Sequence, residues 1–163
     1  MAVLVLDSEA LSALARPDAD RERHARVRAA MRSAHGLNSP VRVPTAVLIE
    51  LYRGTGFDEP IDRVLAQGFA RVITTGARVA RIAGHLLADI GAGSEMAVDA
   101  LVVATAVRLG GGIVLTHDPI DLTRRLVRCA SVTPSDKGAM AVLEDVLKPA
   151  GFEIIRADRV IAS

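Results

Sequence analysis

The stretch Ala2-Val-Leu-Val-Leu-Asp7-Ser8 decides the fold of this chain. Its first five residues form a short continuous apolar run, which is typical of a parallel strand buried on both faces. Asp7 and Ser8 follow at once, and both residue types cap helix N-termini well, so a first helix is expected to continue to about Ala15. The sequence therefore begins with a buried strand that passes directly into a helix.

The rest of the chain repeats this alternation of strand and helix. Further strands are predicted at 41–43, 71–74 and 113–116, and helices at 18–34, 44–53, 60–70, 76–90 and 97–109, with another short helix ending near 128. Alternating strands and helices favour an α/β domain built around a mostly parallel central sheet.

The length of 163 residues suits a single domain with one core. We expect the main domain to occupy residues 1–133. Residues 134–163 are expected to form a C-terminal extension that packs on this domain or trails it, with a helix at about 137–147 and a strand at about 152–156.

The composition indicates the cellular compartment and excludes several classes of binding partner. Net charge is only +1, there is one cysteine, and the aromatic residues are three Phe and one Tyr. A global polycation, an internal disulfide and a platform of several stacking rings are therefore not expected. No apolar stretch has the length of a membrane span, and the N-terminus lacks the basic start of a signal peptide, so we expect a cytoplasmic protein that does not bind membranes.

Four acidic residues adjoin apolar segments that are far apart in the sequence. Asp7 and Asp118 each follow a predicted strand, Asp99 lies in the first turn of a helix, and Glu50 lies about one and a half turns into another. In a parallel α/β sheet, strands end and the following helices begin at the same carboxyl edge, where ligands bind. The four carboxylates are therefore predicted to converge on one pocket.

Such a cluster repels itself unless a cation is bound. Carboxylate oxygens prefer a hard ion, so the expected cofactor is Mg²⁺, with Mn²⁺ as the alternative. A site of this kind suits hydrolysis of a phosphodiester bond.

The order of the motifs that carry these acids resembles a PIN domain, and among PIN proteins the VapC-like toxins of bacterial type II toxin–antitoxin pairs. The resemblance spans roughly residues 2–126. It rests on Leu6-Asp7-Ser8, on Val43-Pro-Thr-Ala-Val-Leu-Ile-Glu50-Leu, on Val98-Asp99-Ala-Leu-Val-Val-Ala-Thr-Ala and on Leu115-Thr116-His-Asp118.

The resemblance implies a three-layer α/β/α fold and a Mg²⁺-dependent endoribonuclease. It implies Asp7, Glu50, Asp99 and Asp118 as catalytic acids, of which Asp7, Asp99 and Asp118 are the expected metal ligands. It further implies an RNA substrate, a homodimer and a small cognate antitoxin protein. Supporting residues are expected at Ser8, Thr116 and Asp121, and low-ranked contacts to RNA or antitoxin at Arg21, Arg28 and Arg124.

The chain departs from the family pattern in two ways. Leu122 stands where the family often has Phe, which leaves the fourth acid open between Asp118 and Asp121. The chain also continues past the usual end of the domain, which leaves the role of residues 134–163 open. Two alternative functions also stay open: a catalytically silent PIN module that binds RNA or a protein, and a haloacid-dehalogenase-type phosphatase. The phosphatase ranks lower because Glu9 stands where that chemistry needs a second Asp.

Overall fold

The computed structural model describes residues 3–116 and 155–156. The strands are β1 (Val3–Leu6), β2 (Val41–Pro44), β3 (Arg71–Ile73), β4 (Gly112–Leu115) and β5 (Ile155–Arg156). The helices are α1 (Ser8–Ala15), α2 (Arg21–Gly36), α3 (Thr45–Leu51), α4 (Thr55–Ala66), α5 (Ala77–Ile90) and α6 (Ala97–Arg108), with a 3₁₀ turn at Ser94–Met96.

The strands form one sheet with β1 at its centre. The order is β3-β2-β1-β4-β5. The first four strands are parallel, and Leu4 of β1 pairs with Val41 on one side and Ile113 on the other. β5 is antiparallel to β4 and lies within the strand predicted at 152–156, so this part of the extension pairs with the sheet edge. The predicted α/β fold with a mostly parallel sheet is confirmed.

Helices cover the sheet in a three-layer α/β/α arrangement. Every residue of β1 and β4 is buried, as expected for central strands of a parallel sheet. Helix α6 packs on these two strands and on α5, while α1 packs on β1, α2 and α4. The largest fully buried side chains are aliphatic: Leu4, Leu6, Leu11, Ile61, Leu86, Ile113, Leu115, Val5 and Val27.

Helix α4 begins earlier than the sequence indicated. A proline favours the first turn of a helix, so Pro60 was a natural predicted start. Instead, Gly54 turns the chain with a φ of 105°, and Asp58 Oδ1 accepts hydrogen bonds from the backbone nitrogens of Arg53 (2.9 Å) and Gly54 (3.1 Å). This local network starts the helix at Thr55 and leaves Pro60 inside it.

In the part of the chain that the structure describes, no helix combines the length and the apolar character needed to cross a bilayer.

Candidate active site at the carboxyl edge of the sheet

Asp7 lies at the carboxyl end of the central strand and is buried, with 8% of its surface exposed. Its Oδ1 accepts a 2.7 Å hydrogen bond from the backbone nitrogen of Ala10, which makes it the N-cap of α1. Its own backbone nitrogen donates to the carbonyl oxygen of Leu115 at 3.3 Å. The carboxylate is thus fixed between the start of a helix and the end of the neighbouring strand β4.

The electrostatic surroundings of Asp7 disfavour its charged form. Burial above all, and then the negative charges of Glu9 and Asp99, raise the pKa of the carboxyl from 3.8 to about 6. Hydrogen bonds from the Thr116 hydroxyl and the Ala10 N–H oppose the rise. A buried carboxylate beside other acids is an arrangement that a bound cation stabilises.

Asp99 and Thr116 reach this edge from two other elements. Asp99 lies half-buried in the first turn of α6, directly after the 3₁₀ turn. Thr116 follows β4 directly, and its hydroxyl hydrogen-bonds Asp7. The structure therefore brings together three of the residues that the sequence singled out.

Glu50 and Ser8 are placed less centrally. Glu50 is exposed and is the second-last residue of α3, a helix that packs against both α1 and α6. Ser8 is half-buried at the first position of α1. Among the described residues, the carboxylates whose charge raises the pKa of Asp7 are those of Glu9 and Asp99.

The remaining predicted site residues, Asp118, Asp121 and Arg124, lie outside the described residues. Within 3–116 and 155–156, no three His, Cys, Asp or Glu side chains are arranged to hold a metal ion. The oxygens of Asp7, Asp99 and Thr116 nevertheless form a hard donor set at one edge, where burial above all raises the pKa of Asp7. This chemistry fits a divalent ion of the Mg²⁺ type.

Glu9 is a residue of this edge that was not predicted from the sequence. Its Oε2 accepts a 2.5 Å hydrogen bond from Arg23 Nη1, so it ties the start of α2 to the start of α1 while adding negative charge beside Asp7. The feature of the sequence that could have predicted this role is the position of Glu9 in the first turn of the helix that Asp7 caps.

A pair of threonines adds further polar groups at the carboxyl ends of β2 and β3. Thr45 follows β2, and its hydroxyl donates to the Thr75 hydroxyl at 3.2 Å and accepts from the Thr75 backbone nitrogen at 3.0 Å. Their link ties the chain after β3 to the start of α3, the helix that carries Glu50.

The two arginines predicted to contact RNA or antitoxin within the described residues lie apart from each other on α2. Arg21 is highly exposed and forms a 3.6 Å ion pair with Asp18. Arg28 lies two turns further along the helix, beside residues that precede β2 at the opposite edge of the sheet.

Comparison with protein families identifies the architecture. A family model described as "PIN domain" matches residues 4–125, about three quarters of the chain. The chain belongs to the PIN domain family. The PIN fold is of nuclease type, and its members usually are hydrolases that use divalent metal ions. The match includes Asp7, Glu50, Asp99, Thr116, Asp118 and Asp121.

Short segments also match curated proteins named succinyl-diaminopimelate desuccinylase. The identity is 62% over 42 residues for the proteins from Roseobacter denitrificans and Paracoccus denitrificans, and 55% over 40 residues for that from Zymomonas mobilis. The first two matches cover 26% of this chain and 11% of each relative. This chain thus spans about a tenth of the length of these relatives, and the family assignment rests on the PIN match.

Proposed function

We propose that this PIN-domain protein is a Mg²⁺-dependent endoribonuclease and the toxin of a VapC-like toxin–antitoxin pair. The observation that carries the proposal is the buried carboxylate of Asp7, which lies beside Asp99 at the carboxyl edge of the sheet and has a pKa raised to about 6. A cap needs no burial, and burying a carboxylate is costly. A bound cation offsets that cost.

In this proposal Asp7 and Asp99 hold the ion together with Asp118. The ion would supply positive charge for phosphodiester hydrolysis. The Ala10 N–H donates to Oδ1 of Asp7, and the Thr116 hydroxyl donates a further hydrogen bond to the carboxylate, so the side chain is held in one orientation. Preorganised ligands of this kind limit the reorganisation needed during the reaction.

Glu50 completes the catalytic set as a ligand or general base. Its exposed carboxylate lies at the end of α3, which packs against α1, the helix that Asp7 caps, and against α6, which carries Asp99. Exposure leaves Glu50 accessible to a substrate arriving from solvent.

The substrate in this proposal is single-stranded or loop RNA, because unpaired bases are the part of RNA that proteins read by sequence. Arg21 and Arg124 would contact its phosphates or an acidic antitoxin segment. The active species would be a homodimer, and a small cognate antitoxin would inhibit it.

The test is cleavage of a panel of structured and unstructured RNAs by purified protein with Mg²⁺ and with EDTA. We expect cleavage with Mg²⁺ that Asp99→Asn abolishes and that the exposed α5 control Asp89→Asn leaves unchanged. Expressed in a bacterial host, the wild type is expected to arrest growth and Asp99→Asn to permit it. Equal cleavage by wild type and Asp99→Asn would contradict the metal-site assignment, and absence of cleavage with every RNA and ion would favour the silent binding module.

A further inference from the structure

A second site is suggested by a pocket at the opposite edge of the sheet. The pocket has a volume of about 810 Å³ and lies between one face of α2, the residues that enter β2, the end of α4 and Phe69 just before β3. On β1, Leu4 pairs with Val41 of the pocket wall, and Asp7 follows three residues later. The pocket and the acidic edge are therefore separated by roughly 10 Å along the strand direction.

The charge of this pocket is opposite to that of the acidic edge. Its lining includes three arginines and two histidines and no Asp or Glu. His24, Arg28, Arg32 and His35 recur at helical spacing, so they form one stripe along α2. Arg42 joins them from β2, with its Nη1 donating to the Val41 carbonyl oxygen at 3.0 Å.

The arginines of the pocket differ from their neighbours on the same helix. Near the start of α2, Arg21, Arg23 and Arg26 are paired with Asp18, Glu9 and Glu22. None of the ion pairs formed within residues 3–116 involves Arg28, Arg32 or Arg42. The pocket thus gathers cationic groups without an acidic partner from the described part of the chain.

Apolar surface lies next to these charges. Leu14, Met31 and Val41 are buried at the pocket, and Phe69 lines it with 59% of its surface exposed. Both Phe side chains in the described part of the chain are exposed, and Phe69 is the one that lines this pocket. An aromatic ring beside guanidinium groups is a surface on which a nucleobase stacks.

We propose that this pocket binds a nucleoside monophosphate, with Arg28, Arg32 and Arg42 on the phosphate and Phe69 against the base. A phosphate monoester carries close to two negative charges and three acceptor oxygens, which suit several guanidinium donors. The volume lies within the range of small-molecule sites, larger than inorganic phosphate needs. The ligand is a free nucleotide or the phosphorylated 5′ end of an RNA, since both present the same chemistry. The site is independent of the nuclease proposal because it lies on the other edge of the sheet.

The test is calorimetric titration of the full chain, without divalent ions, with AMP, GMP, CMP, UMP, ribose 5-phosphate and inorganic phosphate. We expect at least one nucleotide to bind more tightly than either of the other phosphates. The double variant Arg28→Ala/Arg32→Ala should weaken that nucleotide by about tenfold or more. Phe69→Ala should weaken it several-fold while leaving ribose 5-phosphate unchanged.

The matched control is Arg78→Ala/Arg81→Ala, which removes two exposed arginines of α5 outside the pocket. It should retain wild-type affinity, and circular dichroism checks the fold of each variant. Displacement of the nucleotide by a 5′-phosphorylated RNA but not by its 5′-hydroxyl form assigns the RNA end as ligand, and displacement by neither assigns the free nucleotide. The proposal is overturned if no nucleotide binds more tightly than inorganic phosphate, or if the two double variants bind it equally.

Discussion

The helices α1 and α2 begin with the same local device in different surroundings. Each is capped by an aspartate whose Oδ1 accepts a backbone hydrogen bond from three residues ahead, at 2.7 Å for Asp7 and 2.9 Å for Asp20. Asp7 is buried at the end of the central strand, whereas Asp20 is exposed in the connection between the two helices. The comparison distinguishes the effect of the capping hydrogen bond, which both residues have, from the effect of burying the carboxylate, which only Asp7 has.

Capping does not account for the burial of Asp7. Asp20, which is exposed, caps α2 and also forms a 3.5 Å ion pair with Arg23 Nε. The capping hydrogen bond is similar in both, so the fold gains a similar local stabilisation from each. Burial above all, with the charges of Glu9 and Asp99, raises the pKa of Asp7 to about 6. The cost of that position is what the proposed metal ion would offset.

The largest expected difference between the two caps is in RNA cleavage. Asp7→Asn retains a capping side chain and removes the charge, so we expect the rate to fall by about 100-fold or more, beyond the usual effect of a residue that only supports a metal ligand. Asp20→Asn should stay within about twofold of wild type. Initial rates at saturating Mg²⁺ measure both, and equal losses in the two variants would remove the distinction between the caps.

The second difference is in the pH dependence of stability without divalent ions. The carboxyl group of Asp7 has a pKa of about 6 in the folded protein, against 3.8 for the free group. The contribution of its protonation to the free energy of unfolding is therefore fully present below about pH 4 and is lost as the pH rises through 6. At pH 7 this loss amounts to at most about 3 kcal/mol. Asp7→Asn should therefore be more stable than wild type at pH 7 and nearly equal to it at pH 4.

Urea unfolding with EDTA at several pH values between 4 and 7 measures this change. Asp20→Asn serves as the matched variant, with a stability within about 0.5 kcal/mol of wild type, because Asn caps as well as Asp. If the difference in the free energy of unfolding between Asp7→Asn and wild type stays constant from pH 4 to 7, burial does not raise the pKa of this carboxyl group.

The smallest effect is expected from removing the exposed cap. Asp20→Ala takes away the acceptor for the Arg23 N–H, so the free energy of unfolding should decrease by about 1 kcal/mol. Nuclease activity should be unchanged. Chemical denaturation compared with Asp20→Asn isolates the capping contribution, and equal stability of the two variants would mean that the hydrogen bond contributes little.

Much of this molecule could be predicted from sequence because local and tertiary signals agree. The apolar run before Asp7 predicted a buried strand, and the strand is central and fully buried. The cap of α1, the parallel sheet and the position of Asp99 in a first turn follow from residue type and alternation. The proximity of Asp7 and Asp99 follows from the topology, because Asp7 lies at the end of a strand and Asp99 at the beginning of a helix.

Other features depend on contacts that sequence spacing does not show. The start of α4 is set by Asp58 reaching back to two backbone nitrogens, which outweighs the signal of Pro60. Arg28 was predicted to contact RNA or antitoxin, and only the folded chain shows that Arg28 and Arg32 share a pocket with Phe69. That pocket is formed by segments that are distant in sequence, so no single sequence motif predicts it.

Binding of Mn²⁺, followed by electron paramagnetic resonance, tests most directly whether the buried cap is a metal ligand. We expect the wild-type chain and Asp20→Asn to bind Mn²⁺ with the same affinity and Mg²⁺ to compete for the site. Asp7→Asn should bind at least about tenfold more weakly. Equal Mn²⁺ binding by Asp7→Asn and wild type would contradict the account.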